Sequence, residues 1–161
     1  MKLELVDEAA TLALGAALAL GAALAPHVSS GMVVYLEGDL GSGKTTLVRG
    51  WLRALGETGP VRSPTYTLVE PYVLAGVNFY HIDLYRINQP EEVLDAGLDE
   101  CFSGEAICLV EWPDRGKTFV PKPDLRIRLA LCGLARQAVI EATSERGTQW
   151  LITCKLLAAN S

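Results

Sequence analysis

Gly38-Asp39-Leu40-Gly41-Ser42-Gly43-Lys44-Thr45 fits the spacing GxxxxGK[ST]. Just before it, Met32–Leu36 is a compact apolar run with β-branched residues, the pattern of a buried strand. Just after it, the spacing from Lys44 to Leu55 predicts a helix, closed by Gly56. A strand, a glycine-rich turn and a helix in that order form the arrangement that an anion cradle requires. The glycines permit positive φ and let main-chain N–H groups converge on an anion. The helix adds its positive dipole end and unpaired amides. Lys44 can reach a terminal phosphate as a mobile point charge, and the Thr45 hydroxyl suits Mg²⁺, which keeps several waters and takes few protein ligands. Asp39, Leu40, Gly41, Ser42, Gly43 and Thr46 complete the stretch expected to surround the phosphates. The bland alternative is a glycine-rich turn with an exposed lysine.

Such a loop needs a carboxylate near the metal, at the end of a neighbouring buried strand. Ile107-Cys108-Leu109-Val110-Glu111 offers four apolar residues and then an acid, so Glu111 is the first choice on the Mg²⁺ side, acting through water. Tyr80-His81-Ile82-Asp83-Leu84-Tyr85-Arg86 supplies a second acid. Strand alternation puts His81, Asp83 and Tyr85 on one face. Asp83 is the candidate to orient an attacking water or hold metal-bound water. A lone histidine such as His81 is more often a hydrogen-bonded structural residue, and Arg86 more often part of an ordinary ion pair. Ser63-Pro64-Thr65-Tyr66-Thr67 is placed like a switch segment that senses a γ-phosphate, and Trp112-Pro113 either covers the site or packs. No Asn-Lys-x-Asp run that would read guanine occurs, which favours ATP.

The rest of the chain frames this loop. Lys2–Val6 reads as a strand, and an Ala/Leu-rich helix follows and stops near Pro26. Within that helix Leu12–Ala17 and Leu18–Ala23 both read LALGAA. Six residues advance a helix by about 600°, so the second copy is turned by about 120° from the first. Either the helix lengthens or the loop before Val33 absorbs the insertion. Further strands are expected at Thr65–Val73, Val77–Tyr85, Ala106–Val110, Leu125–Leu131 and Gln137–Ala142. A helix should start at Pro90 and another, carrying Trp150, follows Ser144. No linker divides the chain. The pattern is α/β: a single P-loop NTPase-like domain over residues 1–161, with a mixed, mostly parallel sheet flanked by helices.

Composition narrows the function. The 161 residues carry 14 basic and 19 acidic side chains, a net charge of −5. That argues against a protein that binds nucleic acid mainly through its own basic surface. The four cysteines form no CxxC pair, so a disulfide framework or zinc site is not expected and a reducing cytosol fits. Residues 9–25 carry no charge, but Glu4, Asp7 and Glu8 outweigh Lys2 ahead of them, the wrong flank for a signal peptide. The run is short and rich in Ala and Gly, so it is read as a packed helix and not a membrane span.

Several segments taken together resemble the bacterial TsaE (YjeE) family. They are GDLGSGKTT (38–46), SPTYTLVEPY (63–72), HIDLYR (81–86), PEEVLDAGL (90–98) and ICLVEWP (107–113). The resemblance covers roughly residues 7 to 142, and the segments keep the family's order. It implies a P-loop fold, ATP and Mg²⁺, and work beside the TsaB and TsaD proteins in threonylcarbamoylation of the adenosine next to the tRNA anticodon. There the ATPase resets the TsaB–TsaD assembly between turnovers, and tRNA contacts fall mainly to the partners. By resemblance Thr45 and Glu111 match metal positions, Asp83 the acid needed for hydrolysis, and Glu8 and Thr11 a nucleotide-contacting region. Arg136 sits where the family often has Gly-Arg, with Ala135 here in place of the glycine.

The resulting expectation is a Mg-dependent cytoplasmic ATPase, monomeric when isolated, with Lys44, Asp83 and Glu111 as catalytic residues. A nucleotide-dependent scaffold with little hydrolysis and a small-molecule kinase of the same fold remain as alternatives.

Overall fold

A computed structural model of the chain describes residues 1–23 and 31–159. Its elements run β1 (Lys2–Leu5), α1 (Glu8–Ala23), β2 (Val33–Glu37), α2 (Lys44–Ala54), β3 (Val69–Leu74), β4 (Val77–Asp83), α3 (Glu92–Asp95), α4 (Asp99–Phe102), β5 (Ile107–Glu111), β6 (Leu125–Cys132), β7 (Ala135–Ala142) and α5 (Glu145–Ala159). One seven-stranded sheet has the order β1-β7-β6-β2-β5-β4-β3. Strands β6, β2, β5 and β4 pair in parallel, while β3, β7 and β1 join antiparallel at the flanks. Five of the seven strands therefore point the same way, and the sheet is the mixed one expected.

The apolar strand β2 lies at the centre because both its faces are buried. Val34 and Leu36 join the core under α1, α2 and α5, with Leu18, Trp51, Leu109, Ile127 and Trp150. Val33 and Tyr35 face the opposite layer, with Ile82, Leu84, Val93, Leu98 and Val110. Both neighbours of β2 run parallel to it and a hairpin cannot join parallel strands, so the chain leaves through the glycine loop into a helix.

Both LALGAA copies lie in the single helix α1, so the helix absorbs them; the predicted stop near Pro26 lies outside the described residues. Each copy turns its glycine to a different neighbour. A Cβ on Gly15 would overlap the Leu47 carbonyl of α2, and one on Gly50 of α2 would overlap the Leu12 carbonyl of α1. Gly21 faces α5, where a Cβ would strike Cys154 Sγ and lie 3.2 Å from the Trp150 ring. Trp150 Nε1–H donates to Leu18 O at 2.9 Å, and the ring packs edge-on against Trp51 with centroids 5.1 Å apart. The rotation of about 120° between copies thus lets one helix dock against two partners. The remaining side of α1, with Ala9, Ala13, Ala17 and Leu20, is exposed although it is apolar. Among the described residues no helix is long and apolar enough to cross a membrane.

Three of the departures from the expected boundaries exceed small shifts at strand ends or have a clear local cause. Strand β3 begins at Val69, not Thr65, because residues 65–68 form a turn in which Leu68 N–H donates to Pro64 O at 2.7 Å. Side-chain hydroxyls there take hydrogen bonds of their own in place of a strand ladder. Strand β4 ends at Asp83, not Tyr85, because the Asp83 carboxylate accepts the Tyr85 N–H at 2.9 Å and turns the chain. The helix expected at Pro90 is two short turns, α3 and α4, separated by Gly97 at φ +67°. Residues 113–123 contain two 3₁₀ turns, Pro113–Arg115 and Lys117–Phe119.

Candidate active site

The glycine loop joins the C-terminal end of β2 to α2, and three of its glycines have positive φ: Gly38 at +139°, Gly41 at +77° and Gly43 at +104°. Gly38 has no room for a side chain, since a Cβ there would overlap the Leu129 carbonyl of β6. Gly43 caps α2 with no side-chain acceptor for the helix's first amides. A helix start without a side-chain cap suits an anion. Lys44 is 4% exposed; its Nζ donates to Gly38 O at 2.7 Å and Asp39 O at 2.9 Å. Burial pushes its pKa below the ordinary lysine value, and Glu111, Asp83 and Asp39 partly offset that shift. The ammonium also lies 4.2 Å from the centre of the Trp112 ring.

Parallel pairing of β4 with β5 sets Asp83 directly beside Glu111. Both carboxylates are buried. Thr45 Oγ1–H donates to Glu111 Oε1 at 2.9 Å, and His81 Nε2 meets the same oxygen at 2.8 Å. Asp83 Oδ2 accepts hydrogen bonds from the Ser63 hydroxyl and, at 3.0 Å, from Thr65 Oγ1. Ser63 and Thr65 stand 2.9 Å apart, so the segment is fastened to Asp83 by both hydroxyls. Trp112, immediately after Glu111, holds a strained φ of +56° and packs against Tyr85 with ring centres 5.1 Å apart and planes tilted by 53°.

These groups border one cleft of about 280 Å³, lined by Lys44, Thr45, Ser63, Asp83, Glu111 and Trp112 among others. Leu40, Gly41, Gly43 and Thr46 also line it. Asp39 contributes its carbonyl to Lys44, and the Ser42 side chain is buried near Gly38 with no hydrogen-bond partner. Glu8 is not brought to the cleft: its exposed carboxylate pairs with Arg49 of α2 at 3.4 Å. Thr11 lies behind the loop, its methyl 3.5 Å from where a Gly43 Cβ would stand and its hydroxyl donating to Asp7 O. Arg136 on β7 does line the cleft, packs against Gly43 and has a buried Nε without a partner. The replacement of the preceding glycine by Ala135 does not keep it away.

Two partnerships in this cleft are not visible in the sequence. His81 is hydrogen-bonded, as expected, but only the β4–β5 register shows that its partner is Glu111. Trp112, expected to cover the site or pack, meets Tyr85, and both residues follow the strand ends at Glu111 and Asp83. The candidate metal ligands fit magnesium by chemistry, because Thr45 and Glu111 present oxygen donors only.

A parallel-centred sheet, a glycine loop leaving its central strand and a helix opening on Lys44-Thr45 define a P-loop NTPase-like domain. The profile of "Threonylcarbamoyl adenosine biosynthesis protein TsaE" matches residues 9–138. The chain belongs to the TsaE family. It is 44% identical over 121 residues to "tRNA threonylcarbamoyladenosine biosynthesis protein TsaE" of Haemophilus influenzae, covering 75% of this chain and 77% of that one. The protein of the same name in Bacillus subtilis is 41% identical over 109 residues, 68% of each chain. The crystal structure of YdiB from Bacillus subtilis superposes with a TM-score of 0.76 at 31% identity, covering 99% of this chain and 95% of that one.

Proposed function

We propose that the chain is a magnesium-dependent ATPase of tRNA threonylcarbamoyladenosine formation, whose hydrolysis of ATP cycles a TsaB–TsaD assembly. The observation that carries this reading is the meeting of Lys44, Thr45, Asp83 and Glu111 in one cleft at the mouth of the glycine loop. The absence of an Asn-Lys-x-Asp run favours adenine as the base. The pathway and the partners come from the family relationship.

In this reading the loop amides and the start of α2 bind the triphosphate, and Lys44 exchanges its carbonyl partners for phosphate oxygens. Arg136 supplies a second cation beside Gly43. Thr45 and Glu111 would hold the magnesium ion, which neutralises charge on the phosphates when bound. Asp83 orients the water that attacks. Its Oδ2 accepts hydrogen bonds from Ser63 and Thr65, so a shift of the Ser63–Thr67 segment would free that oxygen for the water. Docking of the partners completes the site, and the isolated chain turns over slowly. It acts in the cytoplasm, and tRNA meets it through the partners.

Phosphate release is measured with and without TsaB–TsaD. A clear acceleration by the partners supports the cycle; equal rates with and without them refute partner gating. A complementation assay separates the scaffold alternative, since a hydrolysis-defective Asp83→Ala chain that sustains normal tRNA modification would show that binding alone suffices.

A further inference from the structure

The His81 ring is fully buried, and its two nitrogens differ sharply. Nε2 meets Glu111 Oε1 at 2.8 Å, while Nδ1 has no hydrogen-bond partner. A buried ring nitrogen left unpaired is costly, so a histidine kept only to fill the core would be a poor choice. Glu111 Oε1 already faces the Thr45 hydroxyl at 2.9 Å. A carboxylate oxygen accepts, so Nε2 carries the proton that lies between them, and Nδ1 is the nitrogen left without a partner. Two donors on Oε1 fix the plane of the carboxylate. They leave Oε2 as the free oxygen of a residue that lines the cleft. Among the described residues Glu111 makes no direct ion pair with Lys44. Lys44 instead bonds the carbonyls of Gly38 and Asp39, and its charge stays available for phosphate.

We propose that His81 is a positioning residue: its Nε2–H locks Glu111 Oε1 so that the other carboxylate oxygen is held for the metal side of the cleft. The inference rests on the magnesium–nucleotide reading given above. His81→Leu removes the donor, while His81→Gln keeps an N–H within reach of Glu111. Binding of a fluorescent ADP analogue is titrated with and without magnesium. In His81→Leu the magnesium-dependent gain in affinity should fall by about ten- to a hundredfold, as for groups that orient metal ligands. His81→Gln should restore most of it, and magnesium-free affinity should match wild type in both variants. Equal loss in the two variants would assign His81 to packing, and an unchanged magnesium gain in His81→Leu would remove it from the site. If His81→Leu does not fold, the wild-type chain decides through ¹⁵N-histidine spectra. With only two histidines in the sequence, His81→Gln assigns the signals. A protonated Nε2 supports the proposal and a bare Nε2 overturns it. A wild-type chain that binds no nucleotide at all would overturn the ATPase reading itself, and His81's role with it.

Discussion

Lys44 brings a nearly buried positive charge to the cleft, and its partners are main-chain carbonyls with no formal charge. Burial holds its pKa below the ordinary value, so an incoming phosphate relieves an existing electrostatic cost. Lys44→Ala should weaken nucleotide binding by about ten- to a hundredfold, the scale of a charged hydrogen bond removed, measured by titration of a fluorescent ADP analogue. Asp83 has a different task, because its carboxylate is tied to Ser63, Thr65 and the Tyr85 amide and not to the glycine loop. Asp83→Ala should leave nucleotide affinity within about threefold and lower kcat by about 10²-fold or more, the range of lost general-base catalysis. An Asp83→Ala chain that fails to fold, or loses binding and turnover together, would show that the acid serves the fold. Both residues were legible in the sequence, Lys44 from motif spacing and Asp83 from strand alternation. The attachment of Ser63 and Thr65 to Asp83 was not, because it joins side chains 18 and 20 residues apart.

Elements meet here at unequal distances, and the glycines of α1 and α2 set the closest approach. A methyl on Gly50 meets rigid backbone at Leu12, whereas one on Gly21 meets chiefly the Cys154 thiol. Gly50→Ala should therefore cost about 2–3 kcal/mol, as overpacking against backbone does, and Gly21→Ala clearly less. Urea denaturation of the two variants checks the order. Tyr35 joins β2 to the loop before β6, its hydroxyl donating to Pro121 O at 2.7 Å. Burial pushes its pKa up to about 12 from 10.0. Between those values the unfolded chain loses the phenol proton and the folded chain keeps it. Stability should thus be unaffected by this group below about pH 10 and fall above it, by up to ~1.4 kcal/mol per pH unit. Tyr35→Phe should show a shallower alkaline decline in equilibrium unfolding. Helices α1 and α2 were plain from their patterns. The strand ends at Thr65 and Tyr85 were misread because local hydrogen bonds, which periodicity does not report, outcompeted the ladder.

Over the whole molecule, the sheet gathers the ends of β2, β4 and β5 at one rim, so ligand binding couples to the stability of the entire domain. A nucleotide present at 100 times its dissociation constant should add about 2.7 kcal/mol of stability. That corresponds to a rise in Tm of roughly 5–10 °C for a domain of this size, read by differential scanning fluorimetry with ATP and magnesium. At the same nucleotide concentration Lys44→Ala, with affinity lower by about ten- to a hundredfold, should cut that gain to about 0.4–1.4 kcal/mol. The surface charge of −5 leaves little long-range attraction for a polyanion, consistent with a chain that meets tRNA through partner proteins.

By itself the sequence determined the glycine loop, the buried central strand, the crossover helix and the acids at Asp83 and Glu111. These are encoded locally, by φ freedom, apolar periodicity and helix-start chemistry over a few residues each. It also carried enough ordered segments to point to the family. Only the tertiary structure decided that Asp83 stands beside Glu111, that His81 shares an oxygen with Thr45, and that Arg136 reaches Gly43. It likewise decided that Glu8 turns away to Arg49 and that the two LALGAA copies serve different helices. Such facts depend on strand register and helix rotation, which arise when distant segments pack, and no single stretch of chain contains them.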